Sequence, residues 1–314
     1  MRRPLLTLCV LTACFASGAF VARAQQRDSS TSDTIKVPEH KPPARTPPGD
    51  TGIVRALYVN RWAAQSWRRM RELIALADST EINALVIDMK DEFGQNFETT
   101  DSMVRRNAGR AGHVPHLAAM LDTLREHRIL AIARVVVFKD ANGQPKPKAL
   151  AEFFRAACPR VHAQGARCTA DVFGMVASLP GPLEIGQQWS ELAPVTDVLL
   201  PMVYPSHYPH GSFGVAHPNG APYTIVDSAV SDARHRDLKL GITSPIHVRP
   251  WLQAFTLGSP HYTAEEVAAQ KKGVYDAGYD SWTLWSPGSE YHQFVGALEK
   301  ATVSRKKGAT TTTN

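Results

Sequence analysis

The chain has 314 residues, 43% hydrophobic and 20% charged with four cysteines, which excludes both a disordered chain and a small disulfide-built scaffold. Its formal charge of +6 hints at nucleic acid until it is located: Arg2, Arg3 and Arg23 supply three of the surplus charges and Lys300, Arg305, Lys306 and Lys307 four, so residues 25–299 carry −1. A nucleic-acid binder concentrates a basic stripe on its folded domain, so no such partner is expected.

Residues 1–24 have a basic start, an apolar stretch from Leu5 to Val21 and a small-residue exit at Ala22-Arg23-Ala24, the pattern of a cleaved export signal. A secreted or periplasmic protein follows. Leu11-Thr12-Ala13-Cys14 also resembles a lipobox, so a membrane is a partner only if Cys14 is lipidated. Residues 25–50, rich in Ser and Pro and poor in large apolar residues, read as a disordered linker. Residues 51–300 read as one domain and residues 301–314 as a disordered basic tail.

Within the domain, apolar runs begin at Ile53, Ala84, Ile129, Thr169, Asp197, Val248 and Ser281, each leading into polar or aromatic residues. Amphipathic helical patterns lie between them: Ser66 to Ala77 with a serine cap, Val114 to His127, Lys148 to His162, Tyr223 to Arg236 and Thr263 to Ala277. Alternating strands and helices imply right-handed crossovers and a parallel sheet. The run at Asp197, D-V-L-L-P-M-V-Y-P-S-H-Y, is apolar on both faces, as a strand covered on each side must be.

In a parallel barrel the C-terminal strand ends converge on one mouth, where the chemistry sits. Asp88, Lys90, Asp91 and Glu92 close one strand, Arg134, Lys139 and Asp140 another, Asp171 a third, Arg249 and Gln253 a fourth. A carboxylate inside a strand is expensive to bury alone. Asp171 therefore needs Arg134 or Arg249 as a partner, or a catalytic role, and Asp88 has Lys90 nearby for an ion pair. Glycosidic hydrolysis needs two carboxyl groups, for which Asp171 and Asp88 are the candidates and Asp91 a substitute. Tyr204, His207, Tyr208, Trp251 and Trp285, with Arg134, Arg249 and Gln253, are the candidates for holding a poly- or oligosaccharide, because sugar C–H faces stack on aromatic planes. Tyr58, Trp62, Phe173 and Trp282 add to the aromatic supply at the strand ends. His207, His210 and His217 lack a further ligand at firm spacing, so no metal is expected. No phosphate-binding glycine loop or nucleophile elbow follows any strand, and no cofactor is expected. Cys158 and Cys168 are open to a bridge or to two separate buried thiols.

The segments G-I-V-R-A-L-Y-V-N, T-E-I-N-A-L-V-I-D-M-K-D-E-F-G, A-R-V-V-V-F-K-D, T-A-D-V-F-G, I-G-Q-Q-W, L-L-P-M-V-Y-P-S-H-Y, R-P-W-L-Q-A-F and L-W-S-P-G-S together resemble the bacterial "putative glycoside hydrolase" domain family over residues 52 to about 297. The resemblance implies an α/β fold of the TIM (β/α) barrel type, related to α-amylase-like hydrolases, and a glycosidase acting on an unknown polysaccharide. It also breaks at one place. After A-R-V-V-V-F-K-D, members of that family carry a further stretch with a strand resembling D-E-I-Q-F-D-Y-x-R-F-P, which this chain lacks. The missing fourth β/α unit leaves seven strands where a closed barrel wants eight, so an incomplete or distorted barrel is expected, with a gap between the strands from Ile129 and Thr169. In the related hydrolases the fourth strand carries the nucleophile. A catalytically impaired carbohydrate-binding barrel, or a non-functional truncated member, is therefore the alternative to an enzyme.

Overall fold

A computed structural model describes residues 7–12, 52–106, 108–109, 111–138, 147–182 and 186–307. Cys14, the remainder of the export-signal reading, the linker of residues 25–50, Lys139 and Asp140, and residues 308–314 lie outside the described residues.

The strands, in chain order, are β1 (Thr7–Thr12), β2 (Arg55–Val59), β3 (Ala84–Asp91), β4 (Gly94–Gln95), β5 (Leu130–Phe138), β6 (Cys168–Phe173), β7 (Val198–Val203), β8 (Trp251–Gln253) and β9 (Trp282–Trp285). The strand β2 pairs in parallel with β3 and β9, β9 with β8, β8 with β7, β7 with β6, and β3 with β5. All seven strands expected in the domain are present. Between β5 and β6 the expected discontinuity is also present, since these two strands do not pair with each other. The N-terminal strand β1 fills the space, parallel to both, with Cys9 opposite Arg134 on one side and Thr169 on the other. The result is a ring of parallel strands closed through the β2–β3 pairing, to which β4 adds a short antiparallel extension. The register slips between Leu11 and Thr12 against β5 and between Asp88 and Lys90 in β3.

Side chains alternate across each strand, so one residue in two faces the barrel interior. Val54, Ala56, Tyr58, Ala84, Val86, Ile132, Val198, Leu200, Tyr204 and Trp251 form one buried cluster, the interior filling. Their neighbours one position along, Leu57, Val59, Leu85, Ile87, Ala170, Val172, Leu199 and Leu252, belong to a second cluster that packs against the helices. Helix α1 (Arg61–Gln65) is capped by the Asn60 carboxamide, which accepts the Ala63 N–H at 2.8 Å. Helix α2 (Trp67–Ser79) starts at the expected serine, Ser66, and buries Met70, Leu73, Ile74 and Ala77 on one face. Helices α3 (Ser102–Arg106), α4 (Leu117–Glu126), α5 (Pro147–His162), α6 (Trp189–Leu192), α7 (Pro222–Lys239) and α8 (Ala264–Asp276) follow, the last opened by a Thr263/Glu266 capping box. Among the described residues no helix is long and apolar enough to cross a membrane.

Of the two readings left open for the cysteines, the bridge is the one present. Cys158 and Cys168 form a disulfide, their Cα atoms 5.2 Å apart. The buried face of α5 (Leu150, Phe154, Cys158, Val161) lies on β6 after a turn through Gly165, so helix and strand stay close enough for the bridge. The tail, expected to be free from residue 301, is held as far as Lys307. Glu81, fully buried, pairs with Arg55 and Lys271 and accepts the Glu299 N–H at 2.9 Å. The Asp280 carboxylate accepts Ser304 Oγ at 2.6 Å and the Lys306 N–H at 2.9 Å. These acids stand before β3 and β9, so the tail straps the N-terminal face, opposite the mouth.

The segment read as a cleaved signal and the strand β1 are alternative fates of the same residues. Hydrogen exchange on the full chain and on a chain beginning at residue 25 distinguishes them: loss of β1 is expected to speed exchange at amides within 132–136 and 168–171 by at least about tenfold, a change of about 1.4 kcal/mol in local opening. Equal protection in both proteins would show that β1 contributes nothing to the ring.

Candidate active site

The interior track that is apolar at the bottom of the barrel becomes polar toward the C-terminal strand ends. Two positions beyond Ala84 and Val86 stands Asp88, two beyond Leu130 and Ile132 stands Arg134, and Asp171 follows Thr169 on β6. Asp88 and Arg134 are register partners on adjacent strands. Arg134 Nη1 donates to Asp88 Oδ1 at 2.5 Å, and its Nε lies 3.5 Å from Asp171 Oδ2. One guanidinium thus joins the two carboxylates. Asp88 also accepts the Tyr58 hydroxyl proton, and Asp171 accepts the Trp251 Nε1–H at 2.9 Å. Asp171 is 0% exposed and Asp88 4%.

Burial pushes the Asp88 pKa upward, and Arg134 and the Tyr58 hydrogen bond offset only part of that rise. Burial, reinforced by the Asp88 charge, lifts the Tyr58 phenol well above its ordinary value. Burial works against the Arg134 cation, but Asp88, Tyr58 and Asp171 more than offset it, so its pKa is raised and it stays protonated.

An aromatic group continues from this cluster. The Tyr58 ring centroid is 6.1 Å from that of Trp251 and 5.8 Å from that of Trp285, and the Arg134 guanidinium carbon lies 5.3 Å over the Tyr58 ring. Trp285 stacks on Tyr204 at 5.3 Å and 19°. Phe255 meets both edge-on, at 5.7 Å and 5.5 Å, and His207 lies 5.4 Å from Tyr204. Burial lowers the His207 pKa, which favours the neutral ring.

Several candidates sit elsewhere or act otherwise. Lys90 is not the partner of Asp88: past the register slip its Nζ donates to the Val136 carbonyl at 2.5 Å. Asp91 stands outside the pair, gripped by Arg61 through Nε at 2.8 Å and Nη2 at 2.9 Å. Tyr208, four residues beyond Tyr204 but across a turn, packs in the layer between sheet and helices, 5.8 Å from Phe213 and against Gly174. Trp251 is 1% exposed, its indole N–H turned to Asp171, so it orients an acid and offers no open face to a sugar. Gln253 is also buried: its oxygen accepts the Ser206 N–H at 3.1 Å and its nitrogen donates to the Phe255 carbonyl at 3.0 Å. It brackets the loop carrying His207 and contacts no solvent. Arg249 is buried two residues before Trp251, its backbone N–H donating to the Leu199 carbonyl at 3.0 Å.

Phe255 is absent from the candidates of the sequence reading, and Tyr58 stands there only in the aromatic supply at the strand ends, with no role beside the acids. Tyr58 could have been found from the track 54, 56, 58, which ends at the same level as Asp88. Phe255 lies past the end of β8, where strand alternation gives no guide. His210 and His217 pack edge to face at 5.3 Å, apart from His207, and among the described residues no cluster of three or more His, Cys, Asp or Glu side chains could hold a metal.

Residues 56–146 and 141–291 match the family model described as "Putative glycosyl hydrolase domain". The two matched segments meet between β5 and α5, where the sequence departs from the pattern of that family. Among solved structures the chain is similar to the spore cortex-lytic enzyme SleL of Bacillus cereus (TM-score 0.51, 9% identity, 82% of this chain and 76% of that one). It is also similar to a "putative alpha-L-fucosidase" from Bacteroides thetaiotaomicron (0.50, 10%, 77% and 92%) and to the PgaB (BpsB) glycoside hydrolase domain from Bordetella bronchiseptica (0.49, 11%, 78% and 97%). At these identities the first two likenesses bear on the fold, a barrel of the kind glycoside hydrolases use. No curated protein sequence matches the chain.

Replacing Arg134 with Met leaves two buried carboxylates without their shared cation. The expected cost is about 3–5 kcal/mol at neutral pH, read from urea unfolding, and it should shrink as the pH falls and protons replace the lost charge. A loss below about 1 kcal/mol would mean that the two acids do not depend on Arg134.

Proposed function

The chain belongs to this glycosyl hydrolase domain family, and on that footing we propose that it cleaves glycosidic bonds of a polysaccharide at the barrel mouth, with Asp88 as the acid and Asp171 as the carboxylate that serves as nucleophile or activates water. The observation that carries this reading is the unequal setting of the two acids around one cation. Asp88 has its pKa raised by burial, which suits a group that must hold a proton until the leaving oxygen needs it. Asp171 accepts the Trp251 indole N–H at 2.9 Å and lies 3.5 Å from Arg134 Nε, the farther of the two acids from the cation. Tyr204, Trp285, Phe255 and His207 supply the wall on which a sugar ring would rest. Arg134 keeps the two carboxylates at fixed relative positions, and Trp251 and Tyr58 are positioning residues. The export-signal pattern suggests a substrate met in the periplasm or outside the cell.

A second reading is a barrel that binds carbohydrate without cleaving it, favoured by the burial of both acids and their engagement with Arg134. Reducing-end release from a panel of cell-wall and storage polysaccharides separates the two. The enzyme reading expects turnover that falls about 100-fold or more in Asp171→Asn; binding without turnover by both proteins favours the second.

The pH profile gives an independent test. Activity should fall as the pH rises through the raised pKa of Asp88, because the acid then loses its proton. The Tyr58 hydroxyl bond favours the Asp88 anion, so Tyr58→Phe should raise that pKa further and move the basic limb of kcat/KM to higher pH. A limb that stays put or moves down would remove Asp88 from the role of acid.

A further inference from the structure

Trp62 and Phe93 stand side by side, ring centroids 5.9 Å apart and planes tilted by 55°, yet they are 58% and 51% exposed. Single exposed apolar residues are ordinary on a protein surface, but two large rings meeting in solvent call for a reason. Their location supplies one. Trp62 is four residues past Tyr58 and Phe93 five past Asp88, on the segments that follow the C-terminal ends of β2 and β3. They therefore rise from the same two strands that carry one side of the acid cluster.

The rings are mounted on a stiff frame. Arg61, 1% exposed, donates to both oxygens of Asp91 and to the carbonyls of Gly94 (2.5 Å), Gln95 (3.0 Å) and Gly112 (2.7 Å), which ties the two segments together. Asp91 also accepts the Phe93 N–H at 2.9 Å. Gly94, at φ 110°, lies against Ala108, with no room for a side chain between them. Five hydrogen bonds from one buried guanidinium are thus spent on fixing the backbone beneath Trp62 and Phe93, while both rings remain in water. Ordering them on binding costs little, because their support is already ordered.

We propose that Trp62 and Phe93 form an outer sugar subsite, separate from the Tyr204–Trp285 wall, that holds a distal part of a gluco-configured polysaccharide. Such pyranose rings carry equatorial hydroxyls and present axial C–H groups on both faces, the surface that stacks on an indole or phenyl plane. The shallow V between the rings takes a sugar face on Trp62 and an edge on Phe93. The position past β2 and β3 makes this a continuation of the mouth, and the proposal rests on the carbohydrate-active reading of that mouth.

The test is native affinity electrophoresis of the full chain, the Trp62→Ala, Phe93→Ala double variant and Asp171→Asn, in gels containing hydroxyethyl cellulose, glycol chitin or soluble starch. Retardation of the full chain by at least one of these gluco-configured polymers is expected, with the apparent Kd rising about tenfold in the double variant, the size of one or two aromatic contacts. Both rings being exposed, the variant should keep the thermal midpoint of the full chain. The subsite is overturned if the full chain is retarded by none of the polymers, or equally with and without the two rings. It is also overturned if sedimentation shows a dimer that only the variant loses, since the rings would then belong to a contact between copies. Reducing-end release measured on the same three proteins keeps the two readings apart. Ring-dependent retardation without cleavage leaves the subsite and removes the hydrolase; cleavage that Asp171→Asn abolishes, with ring-independent mobility, does the reverse.

Discussion

The interior of the barrel is organised around one cation. A carboxylate within a strand that faces a closed interior must find a counter-charge or give up its proton, and here two such carboxylates, Asp88 and Asp171, are served by Arg134. The arrangement is asymmetric in distance, 2.5 Å to Asp88 and 3.5 Å to Asp171, and in the second donor each acid receives, a phenol for one and an indole for the other. Removing any of these partners would leave a buried polar atom uncompensated. The polar layer is thus held by mutual dependence among five strands, while the apolar layer beneath it holds by packing.

From that layer outward the structure trades rigidity for access. Tyr58 belongs to both worlds: its hydroxyl binds Asp88 and its ring touches Trp251 and Trp285. Beyond it Trp285 and Tyr204 stack, and only at His207 does the chain of contacts reach an exposed side chain. Gln253 fixes the loop of His207 from beneath, as Arg61 fixes the segments of Trp62 and Phe93. In both places a buried polar side chain, its hydrogen bonds given to backbone and, for Arg61, also to the Asp91 carboxylate, supports aromatic residues that face the mouth. That division explains why Gln253 and Trp251, promising on residue type, prove to be supports.

Period-two alternation made much of this legible. It places Asp88, Arg134 and Asp171 on strands, and the cost of an unpaired buried carboxylate calls for Arg134 or Arg249 as a partner of Asp171, or for a catalytic role. It does not choose between Lys90 and Arg134 for Asp88, because the choice depends on the register of β3 against β5, which residues on either strand alone do not encode. Tyr208 misled for a related reason: the Pro205 turn intervenes, and parity no longer carries through it. The disulfide and the C-terminal strap depend on contacts away from the C-terminal strand ends, Cys158 on Cys168 and residues 302–306 on Glu81 and Asp280. Hydrophobic pattern says nothing about such pairs. The exposure of Trp62 and Phe93 was equally invisible, since aromatic residues near strand ends more often fill core space.

The closure of the ring and the geometry of the acids are one problem. Adjacent strands lie about 4.8 Å apart, so two strands separated by a third are about 10 Å apart. Arg134 and Asp171 stand on such a pair, with β1 between them, whereas Arg134 and Asp88 are direct neighbours. The long contact to Asp171 is therefore the one that crosses the inserted strand, and only a side chain as extended as arginine spans it. Were β5 and β6 to pair directly, the two acids would draw closer and the interior would narrow by a strand, with one fewer residue in alternate layers to fill it. The carboxylate spacing, the quantity on which glycosidic chemistry turns, is thus set by whatever occupies the place between these strands.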